Sequence, residues 1–312
     1  MVNIELHRAN LIDILREIYS DTILRNILGF KGGTAAMLFY GLPRMSVDLD
    51  FDLLDPSKKE EVFQRLKKIL PKFGEIIEAG DKRYTLFFLL RYKKGERGLK
   101  IDISKRPLRY EYTTKNYLGI SMIVVKEPDM IAGKLAALLT RKKFATRDMF
   151  DLWFFLKDEW QIDERVLKEN TTMNLAEALG RAQEKIKAVQ KTEILAGLGE
   201  LLDNKRKAWA KEKLQDELIF RLKLYQRINR SSREQILTDI SVRLRDKYGK
   251  EPGIFIDEGK VVLENANEPG ASVIPEEVAA IRDDVIRKYH LYSYDLASSV
   301  HNGTILIGFS SN

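Results

Sequence analysis

Asp48 and Asp50 place two carboxylates inside the run SVDLDFDLL, residues 46–54, whose alternation otherwise reads as a buried strand. Strand side chains alternate faces, so the two point the same way, roughly 7 Å apart. Two like charges that close repel each other, and a mostly apolar strand makes both costly to desolvate. A structural role would demand a basic partner for each; the economical alternative is a divalent cation bound by both carboxylates. Asp52 continues the same face, but at the strand end, where solvation suffices. Asp102, flanked by Ile101 and Ile103 in the strand-like run Leu99–Arg106, supplies a third carboxylate. Two aspartates in Asp-x-Asp spacing and one on a neighbouring strand suit a two-metal site, which activates an attacking oxygen and stabilises a leaving phosphate. Asp-x-Asp alone also arises by chance, so the pair needs company.

Upstream, Lys31-Gly32-Gly33-Thr34 opens a short, almost wholly apolar helix that ends near Gly41. Free N–H groups at a helix start attract phosphate, and glycine lets it approach closely. Thr34 is placed to cap that helix, and Lys31 adds positive charge. By itself Gly-Gly-Thr is a capped loop; one helix and one turn before Asp-x-Asp, it becomes a phosphate cradle facing a metal site.

The remaining composition narrows the chemistry. The 312 residues contain no cysteine, which excludes disulfides, thiolate zinc sites and a cysteine nucleophile. His7, His290 and His301 lie far apart, so a metal would be a hard ion such as Mg²⁺ or Mn²⁺ held by carboxylates. The N-terminal stretch lacks a basic segment followed by an apolar core, and no apolar run reaches the roughly 20 residues that cross a bilayer. A cytoplasmic protein without membrane contact is expected. A formal charge of +7 suits an anionic partner such as a nucleotide or RNA.

The elements that must position these residues follow from periodicity. Leu11, Ile14, Leu15, Ile18, Leu24, Ile27 and Leu28 recur at helical spacing. Residues 57–74 read as a charged amphipathic helix, and 84–92 with 99–106 as a hairpin around the turn at 93–98. Residues 119–128 form a further strand. The class is α+β with a mixed sheet. Three parts are expected: a catalytic domain over 1–125, a helical domain over 126–230, and a small α/β module over 231–312, ordered helix, strand, strand, helix, strand.

Lys-Gly-Gly-Thr-Ala, an apolar helix, Arg44-Met-Ser46 and Asp-Leu-Asp-Phe together resemble the nucleotidyltransferases of the polymerase-β superfold. The match is closer to the AbiEii/AbiGii toxin family, the toxin half of abortive-infection toxin–antitoxin pairs. Residues 100–104, the helix segment 125–141 and Arg-Asp-x-x-Asp-Leu at 147–152 continue the likeness, which fades toward Arg230. The resemblance implies that Asp48 and Asp50 bind the metals and Asp102 polarises an acceptor hydroxyl. It implies that Gly32, Gly33 and Thr34 hold nucleotide phosphates and Lys134 contacts the triphosphate. Lys31, Arg44 and Ser46 would lie beside it, and Arg147, Asp148 and Asp151 would face the cleft from the helical domain. An NTP substrate, a tRNA 3′ end as acceptor and a cognate antitoxin are implied as partners. A nucleotide-binding interaction or sensor protein, or a transferase acting on a protein or small molecule, remains open.

Plainer readings stand beside these. Lys134 is a solvated helix lysine, Arg147 and Asp151 an i,i+4 surface pair, Arg44 a turn residue and Ser46 a strand cap. Trp153, Phe154 and Phe155 read as helix-packing core. Arg141, Lys142 and Lys143 form a solvated face unless a nucleotide cleft lies beside them, where they would steer RNA.

Overall fold

The computed structural model describes residues 4–93, 98–107, 109–158, 160–249, 253–257, 259–264, 273–289, 296–301 and 304–309. They divide into two compact units, Met1–Leu222 and Lys223–Asn312. In the first unit α1 (Ile4–Ser20) buries Leu11, Ile14, Leu15 and Ile18, the stripe that the helical spacing predicts. There follow α2 (Leu24–Ile27), β1 (Leu28–Lys31), α3 (Gly32–Phe39), β2 (Asp48–Leu53) and α4 (Lys59–Ile69). Next come β3 (Glu75–Asp81), β4 (Thr85–Arg91), β5 (Leu99–Ser104), β6 (Tyr112–Tyr117) and β7 (Ile120–Val125). Helices α5 (Glu127–Thr140), α6 (Thr146–Lys157), α7 (Glu164–Thr171) and α8 (Leu175–Lys187) lead into α9 (Asn204–Tyr248).

The seven strands form one mixed sheet in the order β3-β4-β5-β2-β1-β7-β6. β2 lies at its centre, antiparallel to β1 and parallel to β5. The register sets Asp50 between Lys31 of β1 and Asp102 of β5. Leu49, Phe51, Ile101 and Ile103 alternate with these carboxylates and are fully buried, which fixes the register and with it the face the carboxylates share. The mixed α+β class is therefore as the sequence predicts.

Three strands go beyond the sequence reading. β1 is only four residues long, and its Leu28 continues the helical spacing of the stretch before it. β3 is a sheet edge with almost every residue exposed, so it shows no apolar alternation. β6, at the other edge, carries the aromatic and β-branched content of a strand but no buried face. β4 and β5 pair antiparallel, as the expected hairpin requires; residues 94–97 of its turn lie outside the described residues.

The second unit contains the end of α9, then β8 (Gly253–Asp257), β9 (Lys260–Glu264), α10 (Pro275–Lys288), β10 (Leu296–His301) and β11 (Thr304–Phe309). Its four strands run β10-β11-β9-β8, all pairs antiparallel. Ile240, Leu244, Val261, Leu263, Val285 and Ile307 are among the side chains of its core. β10, of sequence Leu-Ala-Ser-Ser-Val-His, lacks the apolar run of its neighbours β9 and β11, so periodicity does not predict it. The helix expected to begin at Ser231 is the continuation of α9. Glu258 and Gly303, at the edges of expected strands, and His290 lie outside the described residues. No helix among the described residues is long and apolar enough to cross a membrane.

Candidate functional site

Asp48, Asp50 and Asp102 line a cleft of about 520 Å³ in the first unit. Burial first, then the Asp48 charge, push the Asp50 carboxyl up to about 6 despite Lys134 and Lys31. Burial and Asp48 also raise the Asp102 carboxyl. Asp48 Oδ1 is buried with no hydrogen-bond partner. The three groups thus carry negative charge that their surroundings do not neutralise. Among the described residues no three or more ligands are drawn into a closed metal cage. Mg²⁺ takes one or two carboxylates and completes its octahedron with water and substrate phosphates. An orphaned carboxylate oxygen and an all-oxygen donor set fit such an ion, which Asp48 and Asp50 could hold with Asp102 beside them.

Gly32 and Gly33 line the same cleft, directly against the aspartates. Gly32 has φ +79°, and a Cβ there would overlap the Asp50 carboxylate. A Cβ on Gly33 would stand 2.7 Å from Ser46 Oγ and 3.0 Å from Arg44 Nη2. The paired glycine is therefore what allows the helix start to sit against the aspartates. The N-cap position of α3 is Lys31, extended and without a side-chain cap. This corrects the expected role of Thr34, which lies inside the helix. Its side chain is fully buried and its hydroxyl donates to the Asp48 carbonyl at 2.5 Å, leaving only its main-chain N–H for a phosphate. Gly32→Ala is expected to cost at least about 2 kcal/mol and to abolish NTP binding; urea unfolding and nucleotide titration check both.

The helical side contributes a buried charge cluster. Arg44, in the turn before β2, donates from Nε and Nη2 to both Asp151 oxygens at 2.5 and 2.7 Å. Lys134 of α5 reaches the same carboxylate at 2.6 Å. Burial favours the protonated Asp151, but Arg44 and Lys134 overcome it and hold the carboxyl down at about 2. Arg44, Ser46, Lys134 and Arg147 line the cleft. Asp148 and Asp151 do not: both are fully buried behind it, a correction to their expected exposure toward the cleft. Asp151 thus holds Arg44 and Lys134 in place, where the plainer reading paired it with Arg147 on the surface. Arg141 Nε lies 3.0 Å from Asp148 Oδ2, yet neither Asp148 oxygen has a hydrogen bond. Burial raises its carboxyl against Lys134 and Arg141.

Asp52 is a further correction. Expected to be solvated, it is 3% exposed and accepts from Lys31 Nζ and the Tyr112 hydroxyl, both at 2.6 Å. Lys31 lines the cleft with its ammonium committed to that carboxylate. The aromatic residues of α6 pack as core: Trp153 lies 4.2 Å from Trp209 and Phe155 stacks at 4.5 Å on Trp160. Sequence reasoning missed Lys100, Arg106, Tyr110 and Asp129, all in the cleft wall. Lys100 was recoverable, since it shares the face of Asp102 two residues on. Asp129, pushed up to about 6 by burial against a hydrogen bond from the Glu111 N–H, had no local signal.

A mixed sheet that gathers carboxylates from two parallel strands beneath a Gly-Gly helix start is the architecture of a nucleotidyltransferase. A family model described as nucleotidyl transferase AbiEii toxin of a type IV toxin–antitoxin system matches residues 13–241, and the chain belongs to that family. Among curated proteins none matches. Similar solved structures include a candidate nucleotidyltransferase from H. pylori, 25% identical at TM-score 0.49, covering 72% of this chain and 95% of that one. JHP933 from Helicobacter pylori is 24% identical at TM-score 0.48, covering 74% and 95%. An antigenic nucleotidyltransferase-like protein from Paracoccidioides brasiliensis is 17% identical at TM-score 0.34, covering 50% and 78%.

Proposed function

We propose that the protein transfers a nucleoside monophosphate from an NTP to the 3′-hydroxyl of a tRNA, as the toxin of a pair whose antitoxin restrains it. The observation that carries the reading is the register that sets Asp102 beside Asp50, with the Gly32-Gly33 helix start against the same carboxylate. Main-chain N–H groups at that start, with Arg44 and Lys134, bind and orient the triphosphate. Asp48 and Asp50 would hold Mg²⁺, which when bound supplies charge stabilisation at the reacting phosphate. Asp102 accepts the proton of the acceptor hydroxyl as its oxygen bonds to the α-phosphorus. The bond from the α-phosphorus to the bridging oxygen breaks, and pyrophosphate leaves. Residues 1–125 are proposed as the catalytic part, 126–230 as the helical wall, and 231–312 as the part free for other contacts.

The test is incubation with each NTP radiolabelled at the α-phosphorus, Mg²⁺ and total RNA, comparing wild type with Asp48→Ala/Asp50→Ala. Label on small RNA from wild type alone is the expected result. Equal label from both proteins, or from neither with any NTP, would sink the mechanism.

A further inference from the structure

Tyr84, in the bend between β3 and β4, is a large aromatic ring left 47% exposed. The guanidinium carbons of Arg83 and Arg106 lie 4.9 and 5.2 Å from its centre. The neighbouring lysines Lys59, Lys82 and Lys105 each have a carboxylate partner. Lys59 and Lys105 both reach Asp81, and Lys82 pairs with Glu78. Among the described residues neither Arg83 nor Arg106 is held by a carboxylate; their contact is the ring.

The register ties this cluster to the cleft. Phe87 lies opposite Asp102, Thr85 opposite Ser104, and the Lys105 N–H donates to the Tyr84 carbonyl at 2.8 Å. Thr85, Ser104 and Arg106 line the cleft with Asp102. Tyr84 therefore pairs with Lys105, three residues or about 10 Å beyond Asp102 along β5, and Arg106 beside its ring joins the cluster to the cleft wall. Gly32, Gly33, Arg44 and Lys134 are assigned to the triphosphate under the nucleotidyl-transfer reading. The Asp102 side is left for the acceptor.

We propose that Tyr84, Arg83 and Arg106 form the docking surface for the single-stranded 3′ segment of an RNA acceptor, directing its terminal hydroxyl to Asp102. The proposal rests on the nucleotidyl-transfer reading and adds the residues that dock its acceptor. An exposed ring offers a face on which an unpaired base stacks, and guanidinium planes stack bases as well as binding phosphate. The two unpaired cations match a polyanionic strand.

The test is fluorescence anisotropy with the full chain and a 5′-fluorescein single-stranded RNA of about 12 nucleotides with a free 3′-hydroxyl. Tyr84→Ala is expected to weaken binding about tenfold. Arg83→Ser/Arg106→Ser is expected to weaken it further and to flatten the slope of log affinity against log salt by about 1.4, roughly 0.7 per cation. Affinity of Tyr84→Ala for a fluorescent NTP analogue should stay within about twofold of wild type, which separates loss of docking from misfolding. RNA affinity equal to wild type in both variants overturns the proposal, as does wild-type labelling of protein with no RNA bound. Asp48→Asn serves as the separate check on chemistry. If it binds the RNA normally and transfers nothing, both readings stand; if it still transfers, the catalytic reading fails while the docking comparison remains valid.

Discussion

Asp50→Asn is expected to remove nucleotidyl transfer by about a thousandfold or more while making the first unit more stable. The two effects share one cause. Asp50 is kept close to Asp48 and Asp102, and burial plus the Asp48 charge push its carboxyl up to about 6 from the ordinary 3.8. A raised acid binds more protons folded than unfolded, so stability falls as pH rises from about 4 to 6 and stays low above that. The shift corresponds to roughly 2–3 kcal/mol at neutral pH. Asparagine keeps the shape and removes the charge, and the melting temperature at pH 7 should rise by about 5–10 °C. Melting curves between pH 4 and 8 check the sign: wild type declines over that window and the variant is flatter. Mg²⁺ with an NTP should raise the wild-type melting temperature and leave the variant nearly unmoved. A variant less stable than wild type at pH 7 would mean that Asp50 is a structural ion-pair partner.

How much of this was legible depended on whether a residue's signal was local. Asp48, Asp50 and the glycine pair are local: their types and spacing announce a conflict of charge and an open backbone, and the structure brings them to one cleft. Asp102 needed only the assumption that two strand-like runs are neighbours, and the parallel register bears out that contact. Thr34 and Asp52 were misjudged for the opposite reason. Their partners, the Asp48 carbonyl 14 residues away and Lys31 with Tyr112, are supplied by the packing of the helix and strands, which no window of sequence displays. Lys134 and Asp151 look like ordinary helix-surface residues until α5 and α6 are packed against the turn that carries Arg44. The edge strands β3 and β6 were invisible because a strand without a buried face has no alternation to read.

Asp151→Asn is expected to be the most destabilising conservative change in the first unit. Asp151 is fully buried and takes two hydrogen bonds from Arg44 and an ion pair from Lys134, so removing its charge strands two cations. Breaking one partner of a buried ionic cluster typically costs about 3–5 kcal/mol. Because Arg44 and Lys134 hold its carboxyl down at about 2 against burial, its contribution is fully present above the ordinary 3.8 and is lost as pH falls through about 2. Urea unfolding at pH 7 and pH 3 checks this, with the gap between wild type and variant shrinking at the lower pH. The double variant Arg44→Met/Asp151→Leu separates structure from chemistry. Two apolar side chains of similar length should recover most of the loss, since Lys134 is the one cation left and its side chain is 13% exposed. Activity should not return, because Arg44 has gone from the cleft wall beside Gly33 and Ser46. Recovery of both stability and transfer would make the cluster a packing device with no hold on the triphosphate.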